Sequence, residues 1–154
     1  MITVNSRFLV LLAASGSLAL LAGAFVFQAF GFAPCELCLL QRWPHAAAIL
    51  IGGLVLLTGW RNLAWAGALA ALTTAALGLY HTGVERGFWI GPTACSSSPV
   101  EGLSSDELMS QILNAPLVRC NEVVWSLFGL SMASWNAVLS LLLVLIWVMA
   151  ARRD

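Results

Sequence analysis

Phe8-Leu9-Val10-Leu11-Leu12-Ala13-Ala14-Ser15-Gly16-Ser17-Leu18-Ala19-Leu20-Leu21-Ala22-Gly23-Ala24-Phe25-Val26-Phe27-Gln28-Ala29-Phe30 holds no charge, and Gln28 is its one strongly polar side chain. At about 1.5 Å per residue, a helix over such a run crosses a hydrocarbon core of about 30 Å. The position also suits a secretory signal peptide, with Arg7 as its basic region and Ala22-Gly23-Ala24 as a cleavage site. The apolar run continues past that site and three more candidate spans follow, so we read a first transmembrane helix over 8–30. Composition points the same way. Charged residues make up 9% of the 154-residue chain and hydrophobic residues 60%, whereas a soluble domain carries about a quarter charged residues. Mean hydropathy is +0.91. Formal net charge is zero, lysine is absent and no basic stripe exists, which leaves nucleic-acid binding without electrostatic support.

The second candidate span, 44–60, starts at Pro44-His45 and stops at Arg61-Asn62. Pro44 either opens that helix or kinks it. The third, 63–80, is rich in Ala, Gly and Thr, and small residues let helix backbones approach closely in a bilayer. The fourth, 132–151, ends at Arg152-Arg153. The expectation is an all-α membrane protein: one domain over 1–154, a four-helix transmembrane bundle with outer loops at about 31–43 and 81–131, the longer one containing short interfacial helices. An even number of spans puts both termini on one side, with Arg7, Arg61, Arg152 and Arg153 close to span ends. Arg42, Arg86 and Arg119 are spread over the longer loops of the other side. The positive-inside rule then places the termini in the cytoplasm.

The long outer segment is punctuated by Gly91-Pro92, Ser96-Ser97-Ser98-Pro99 and Ala115-Pro116. Ser104–Leu113 reads as a short helix, capped by Ser104 or Ser105 with Asp106 and Glu107 in its first turn. Val123–Leu130 is apolar, carries Trp125 and Phe128 and is too short to span; it reads as a segment in the membrane interface. Trp43, Trp60, Trp65, Trp89, Trp125 and Trp135 fall near span ends or in that segment, as an aromatic belt would.

Chemistry concentrates at Pro34-Cys35-Glu36-Leu37-Cys38-Leu39-Leu40-Gln41-Arg42-Trp43. Two cysteines three positions apart form a disulfide or a reactive dithiol, and a nearby cation or helix N-terminus favours the thiolate. Arg42 follows Cys38 by four residues, so on a helix the two share one face. Gln41 can donate a hydrogen bond to a carbonyl oxygen. Cys95 and Cys120 lie in the long outer segment, and with the inferred orientation all four cysteines face an oxidising compartment. Four cysteines allow three pairings, of which Cys35–Cys38 with Cys95–Cys120 is the simplest. A Cys95–Cys120 bridge serves either as a structural staple, worth roughly 3 kcal/mol, or as a labile disulfide that exchanges with a partner. Zinc needs four tetrahedral ligands, which a membrane-edge pair with a distant second pair supplies poorly, so no metal is expected. His81 ends the third span. Met132 and Trp135, one turn apart, can line an apolar pocket for a ring-shaped ligand or pack in the core.

Together, Pro34-Cys35-x-x-Cys38-x-x-Gln41-Arg42, four spans and a second outer cysteine pair resemble the DsbB family, the disulfide bond formation proteins of the bacterial inner membrane. Tyr80-His81 before Cys95, and Cys120 followed by Trp125, Gly129-Leu130, Met132 and Trp135, extend the resemblance over nearly the whole chain. The resemblance implies a relay. A reduced periplasmic thiol oxidase of the DsbA type attacks the Cys95–Cys120 disulfide through Cys95, exchange passes the electrons to Cys35–Cys38, and Cys38 delivers them to a quinone (ubiquinone or menaquinone). It further implies that Arg42 supports the quinone and the Cys38 thiolate, that Met132 lines the quinone site with Gln41 and His81 nearby, and that the protein draws on the membrane's quinone pool. Two other readings compete. One is a non-catalytic four-helix subunit with two structural disulfides. The other is a dithiol oxidoreductase of the vitamin K epoxide reductase kind. Dependence of quinone reduction on both cysteine pairs separates the first from the relay.

Overall fold

The computed structural model describes residues 5–92, 104–106, 109, 113 and 118–153. Four helices carry the architecture: α1 (Ser6–Ala29), α2 (Glu36–Thr58), α3 (Leu63–Glu85) and α4 (Met132–Arg152). Each is long and apolar enough to cross a membrane. Every helix packs on two neighbours, in the ring α1–α2–α3–α4 closed by α4 on α1, as in an up-and-down bundle. The expected four-helix membrane architecture is therefore what the chain adopts.

Local chemistry sets the helix ends. The Asn5 side chain accepts from the Arg7 amide and caps α1, satisfying one of the free amides of the first turn. Gly59, at φ 71°, closes α2 with its amide on the Val55 carbonyl, a left-handed cap that glycine adopts without steric cost. The Ser131 hydroxyl accepts from the Ser134 amide and caps α4.

Two boundaries differ from the sequence reading. Helix α2 begins at Glu36 rather than Pro44, so most of the expected 31–43 loop is helical and Pro44 lies inside α2. Pro44 lacks the N–H that would reach the Leu40 carbonyl; one residue on, the Thr74 hydroxyl of α3 donates to the Gln41 carbonyl at 3.2 Å. Helix α3 runs on to Glu85, which places His81 within a helix rather than in a loop.

The segment before α4 also differs. It is a two-stranded antiparallel ribbon, β1 (Ser126–Leu127) pairing with β2 (Leu130–Ser131). Phe128 and Gly129 form its turn with φ of 52° and 76°, the double positive φ of a type I′ hairpin. The short apolar length excluded a span, but nothing in Phe128-Gly129 carries the Asn-Gly signature that announces this turn. Of the expected Ser104–Leu113 helix, Ser105, Asp106, Met109 and Leu113 are helical, and the remainder apart from Ser104 lies outside the described residues.

One apolar core of the bundle includes Trp147 of α4, which is fully buried. A Cβ on Gly67 of α3 would lie 2.7 Å from the Trp147 ring. Leu9, Val10, Ala13, Val55, Ala64, Ala68 and Ala71 complete that core. Glycine and alanine make a notch that one large ring fills, the packing that holds helices together where lipid removes the hydrophobic drive.

Candidate active site

The opposite end of the bundle is built differently. Cys35 is the N-cap of α2: its sulfur accepts from the Cys38 amide at 3.3 Å. Both cysteines therefore sit in the first turn of a helix, where backbone dipoles favour negative charge. Both are free thiols, with their sulfurs 2.7 Å apart. The hydrogen bond to Cys38, reinforced by burial, pushes the Cys35 thiol far above the ordinary cysteine range, so Cys35 keeps its proton.

One turn on, the Gln41 amide nitrogen donates to the Leu37 carbonyl at 2.9 Å and faces His81 Nδ1 at 3.0 Å. Its oxygen accepts from Asn136 Nδ2 of α4 at 2.7 Å. Asn136 Nδ2 also donates to Thr74 Oγ1 at 3.2 Å, and its Oδ1 faces His45 Nε2 at 2.9 Å and Ser140 Oγ at 3.3 Å. Three helices are thus cross-linked by one buried polar chain whose donors and acceptors agree. An N–H pointing at Nδ1 means that the neutral His81 ring carries its proton on Nε2. That nitrogen lies 3.6 Å from Cys35 Sγ and 3.9 Å from Glu85 Oε1, and the Cys120 backbone is a further hydrogen-bond partner of His81. Glu85 in turn accepts a short hydrogen bond from Ser131 Oγ.

Arg42 shares the cavity-facing side of α2 with Cys38, but its guanidinium reaches across to α1. Nη1 donates to Gln28 Oε1 at 2.8 Å, and the group lies 4.6 Å from the Phe25 ring centre, a cation–π distance. Its Nε is buried with no partner among the described residues, as is His45 Nδ1.

A cavity of about 340 Å³ opens between α1, α2 and α4, within the range of roughly 300–1,000 Å³ typical of small-molecule sites. From α1 come the small residues Ala19, Gly23 and Ala24 together with Leu20, Leu21 and Phe27, while Cys38, Gln41, Arg42 and His45 contribute from α2. Met132 and Trp135 line it together from α4, so the pair one turn apart faces the cavity. Trp135 also donates from its ring nitrogen to the Leu127 carbonyl at 3.1 Å, which fastens the hairpin over the site. A smaller cavity of about 80 Å³ adjoins it, lined by Cys35, His81, Glu85, Arg119 and Glu122 among others. Cys38 borders both spaces, whereas Cys35 borders the smaller one alone.

The structure thus brings Cys35, Cys38, Gln41, Arg42, His81 and Met132 to one end of the bundle. Cys120 joins them: it is disulfide-bonded, fully buried and packed in one apolar cluster with Cys35, Leu37 and Val84. Cys95 lies outside the described residues. Sequence reasoning missed Asn136, Thr74, His45 and Glu85 as parts of the site. A signal existed, because polar or ionisable residues inside candidate spans are expensive and mark functional sites. Cys35, Cys38 and His81 also place three donor atoms within 4.8 Å of one another. With Nε2 protonated, His81 presents an N–H to the sulfurs rather than the lone pair a metal needs.

A helix-capping thiol pair, beside an apolar cavity at one end of a four-helix membrane bundle, defines a membrane thiol–disulfide oxidoreductase. The family described as "Disulfide bond formation protein DsbB" matches residues 6–150, and the chain belongs to that family. It is 35% identical over 145 residues to "Disulfide bond formation protein B" of Marinobacter nauticus, covering 86% of this chain and 85% of that protein. The protein of the same name from Haemophilus influenzae is 35% identical over 155 residues, covering 92% of this chain and 84% of the relative. "Disulfide bond formation protein B 2" of Pseudomonas aeruginosa is 32% identical over 147 residues, covering 90% and 85%. No solved structure matches the chain significantly.

Proposed function

We propose that the protein reoxidises a periplasmic thiol oxidase of the DsbA type and passes the electrons to a quinone of the bacterial inner membrane. One observation carries this reading: Cys38 borders an apolar cavity that Arg42 also lines, and Arg42 Nε is buried with no partner among the described residues. An orphaned buried donor is costly, and a carbonyl oxygen of a bound ring offsets that cost. Gln41, Arg42, His81 and Met132 would hold the ring, which supplies a two-electron acceptor that diffuses in the bilayer.

The chain's own residues do the rest. The incoming thiolate attacks the Cys95–Cys120 disulfide, with Cys95 as the attacked sulfur, and a mixed disulfide forms. Exchange then moves two electrons to the Cys35–Cys38 pair, at a rate set by thiolate fraction and leaving-group pKa. Burial of Cys120 in the Cys35 cluster supports a short route between the pairs. The whole chain acts as one membrane domain with cytoplasmic termini, which puts all four cysteines in the periplasm.

The test is quinone reduction by purified protein with a reduced DsbA-type oxidase as donor. We expect turnover in the wild type and none in Cys35→Ser/Cys38→Ser. Full turnover in that variant, or none in wild type with quinone and partner varied, removes the proposal.

A further inference from the structure

Gln28 is the one strongly polar side chain of the first apolar run, and the relay gives it no part. It sits exposed in the last turn of α1. In a membrane span an amide with an unmet hydrogen bond is costly. Among the described residues, its side chain has one hydrogen-bond partner, Arg42 Nη1 at 2.8 Å. Phe25 lies three positions earlier, on the same face of α1, and its ring centre is 4.6 Å from the guanidinium. One helix thus meets Arg42 twice, with Gln28 at an N–H and Phe25 at the flat face.

An arginine near the end of a span is otherwise free to move. Its stem carries several rotatable bonds, and its head snorkels to the aqueous boundary. Arg42 lies in the second turn of α2. Without an anchor its head reaches that boundary and leaves the two cavities that Arg42 and Cys38 both border. The acceptor is also of a particular kind. An amide oxygen takes the N–H and leaves the positive charge whole, whereas a carboxylate would pair with it. Among the described residues, no carboxylate lies within ion-pair distance of Arg42.

We propose that Gln28 is a positioning residue, which holds the Arg42 guanidinium beside Cys38 with its charge uncancelled. The proposal deepens the relay reading and rests on it for the use of that charge, at the Cys38 thiolate and at an oxygen of a bound ring. Gln28 itself lines neither cavity, so it acts through Arg42.

The charge at Cys38 can be read without a quinone. The full chain carrying Cys35→Ser/Cys95→Ala/Cys120→Ala keeps Cys38 as its single thiol. In neutral detergent it is alkylated by iodoacetate, an anion, and separately by iodoacetamide, a neutral analogue. Both reagents consume the same thiolate, so the ratio of the two rates cancels the thiolate fraction and reports local charge. Gln28→Met, which keeps the length and suits an apolar helix, should lower the anion-to-neutral ratio about 3-fold or more, the size of an exposed ion-pair interaction. Arg42→Met should lower it at least as far. Gln28→Glu, which keeps an acceptor but cancels the charge, should lower it too. In the Arg42→Met background, Gln28→Met should change nothing further, the mark of a residue that acts through another. The proposal is overturned by a smaller fall in Gln28→Met, or by a ratio that Arg42→Met or Gln28→Glu leaves unchanged. It is equally overturned by a Gln28→Met effect that persists without Arg42, which would make Gln28 a helix-packing residue alone. Because no quinone is present, failure of the quinone reading leaves this result standing, and the reverse holds.

Discussion

Around Trp147, the bundle is closed by apolar side chains; around Asn136, three of the same helices are held by hydrogen bonds beside a cavity. At the Trp147 end, a ring fits a notch of glycine and alanine. At the cysteine end, Gly23 of α1 borders open space: a Cβ on it would find nothing within 4 Å among the described residues. Small residues thus serve close approach at one end and open space at the other. The difference lies in what stands opposite, and it separates the part that holds the fold from the part that performs the chemistry.

The largest test of that division is Trp147→Ala. In lipid, packing rather than water release holds helices together, so an empty notch loses its dispersion contacts outright. We expect a loss of about 3–5 kcal/mol, read as unfolding in detergent, with turnover per folded molecule retained. Trp147 Nε1 is buried without a partner among the described residues, so Trp147→Phe should cost far less, because it removes an unsatisfied donor along with the lost volume. If Trp147→Ala instead abolished turnover in protein that stayed folded, the two ends would not be separable.

How much of this could be read beforehand follows the same line. The four spans were legible, because a bilayer demands about 20 apolar residues per helix and 8–30 supplies them almost without interruption. The Cys35–Cys38 pair and Arg42 were legible from their spacing. The start of α2 was not, since Glu36, Gln41 and Arg42 dilute the apolar signal, and Pro44 reads as a boundary although it lies inside the helix. Asn136 and Glu85 were passed over because each is a lone polar residue in sequence. Their meaning comes from partners that lie 95 and 46 positions away, Gln41 and Ser131. The hairpin was hidden because Phe128 is an unusual residue for a positive φ.

Asn136→Leu sharpens the comparison from the polar side. It deprives Gln41 Oε1 of its donor and leaves His45 Nε2 with Thr74 Oγ1 at 3.2 Å, while keeping volume. Interhelical hydrogen bonds in membranes are worth about 0.6–2 kcal/mol each, so stability should fall by about 1–2 kcal/mol. Turnover should fall further, on the order of 10-fold, because Gln41 no longer holds His81 in one tautomer. Thermal unfolding and quinone reduction measured on the same preparation check both. A stability loss as large as that of Trp147→Ala, with turnover intact, would make the polar chain a packing device.

The smallest effect belongs to the hairpin that covers the site. Phe128 adopts φ 52° and is 88% exposed, so it bears the left-handed cost of roughly 1–2 kcal/mol without repaying it in protein contacts. Asparagine tolerates that conformation, and Asn-Gly is the favoured pair for a type I′ turn. Phe128→Asn should therefore raise stability in detergent by up to about 1 kcal/mol. In bilayers the gain should shrink, because an aromatic ring at the hairpin tip, beside exposed Val123, Val124 and Leu127, is stabilised where headgroups meet acyl chains. Equal gains in both settings would mean that the tip does not touch the membrane. A loss in both would mean that the ring packs on protein, and the hairpin would then belong with the Trp147 end as part of what holds the fold.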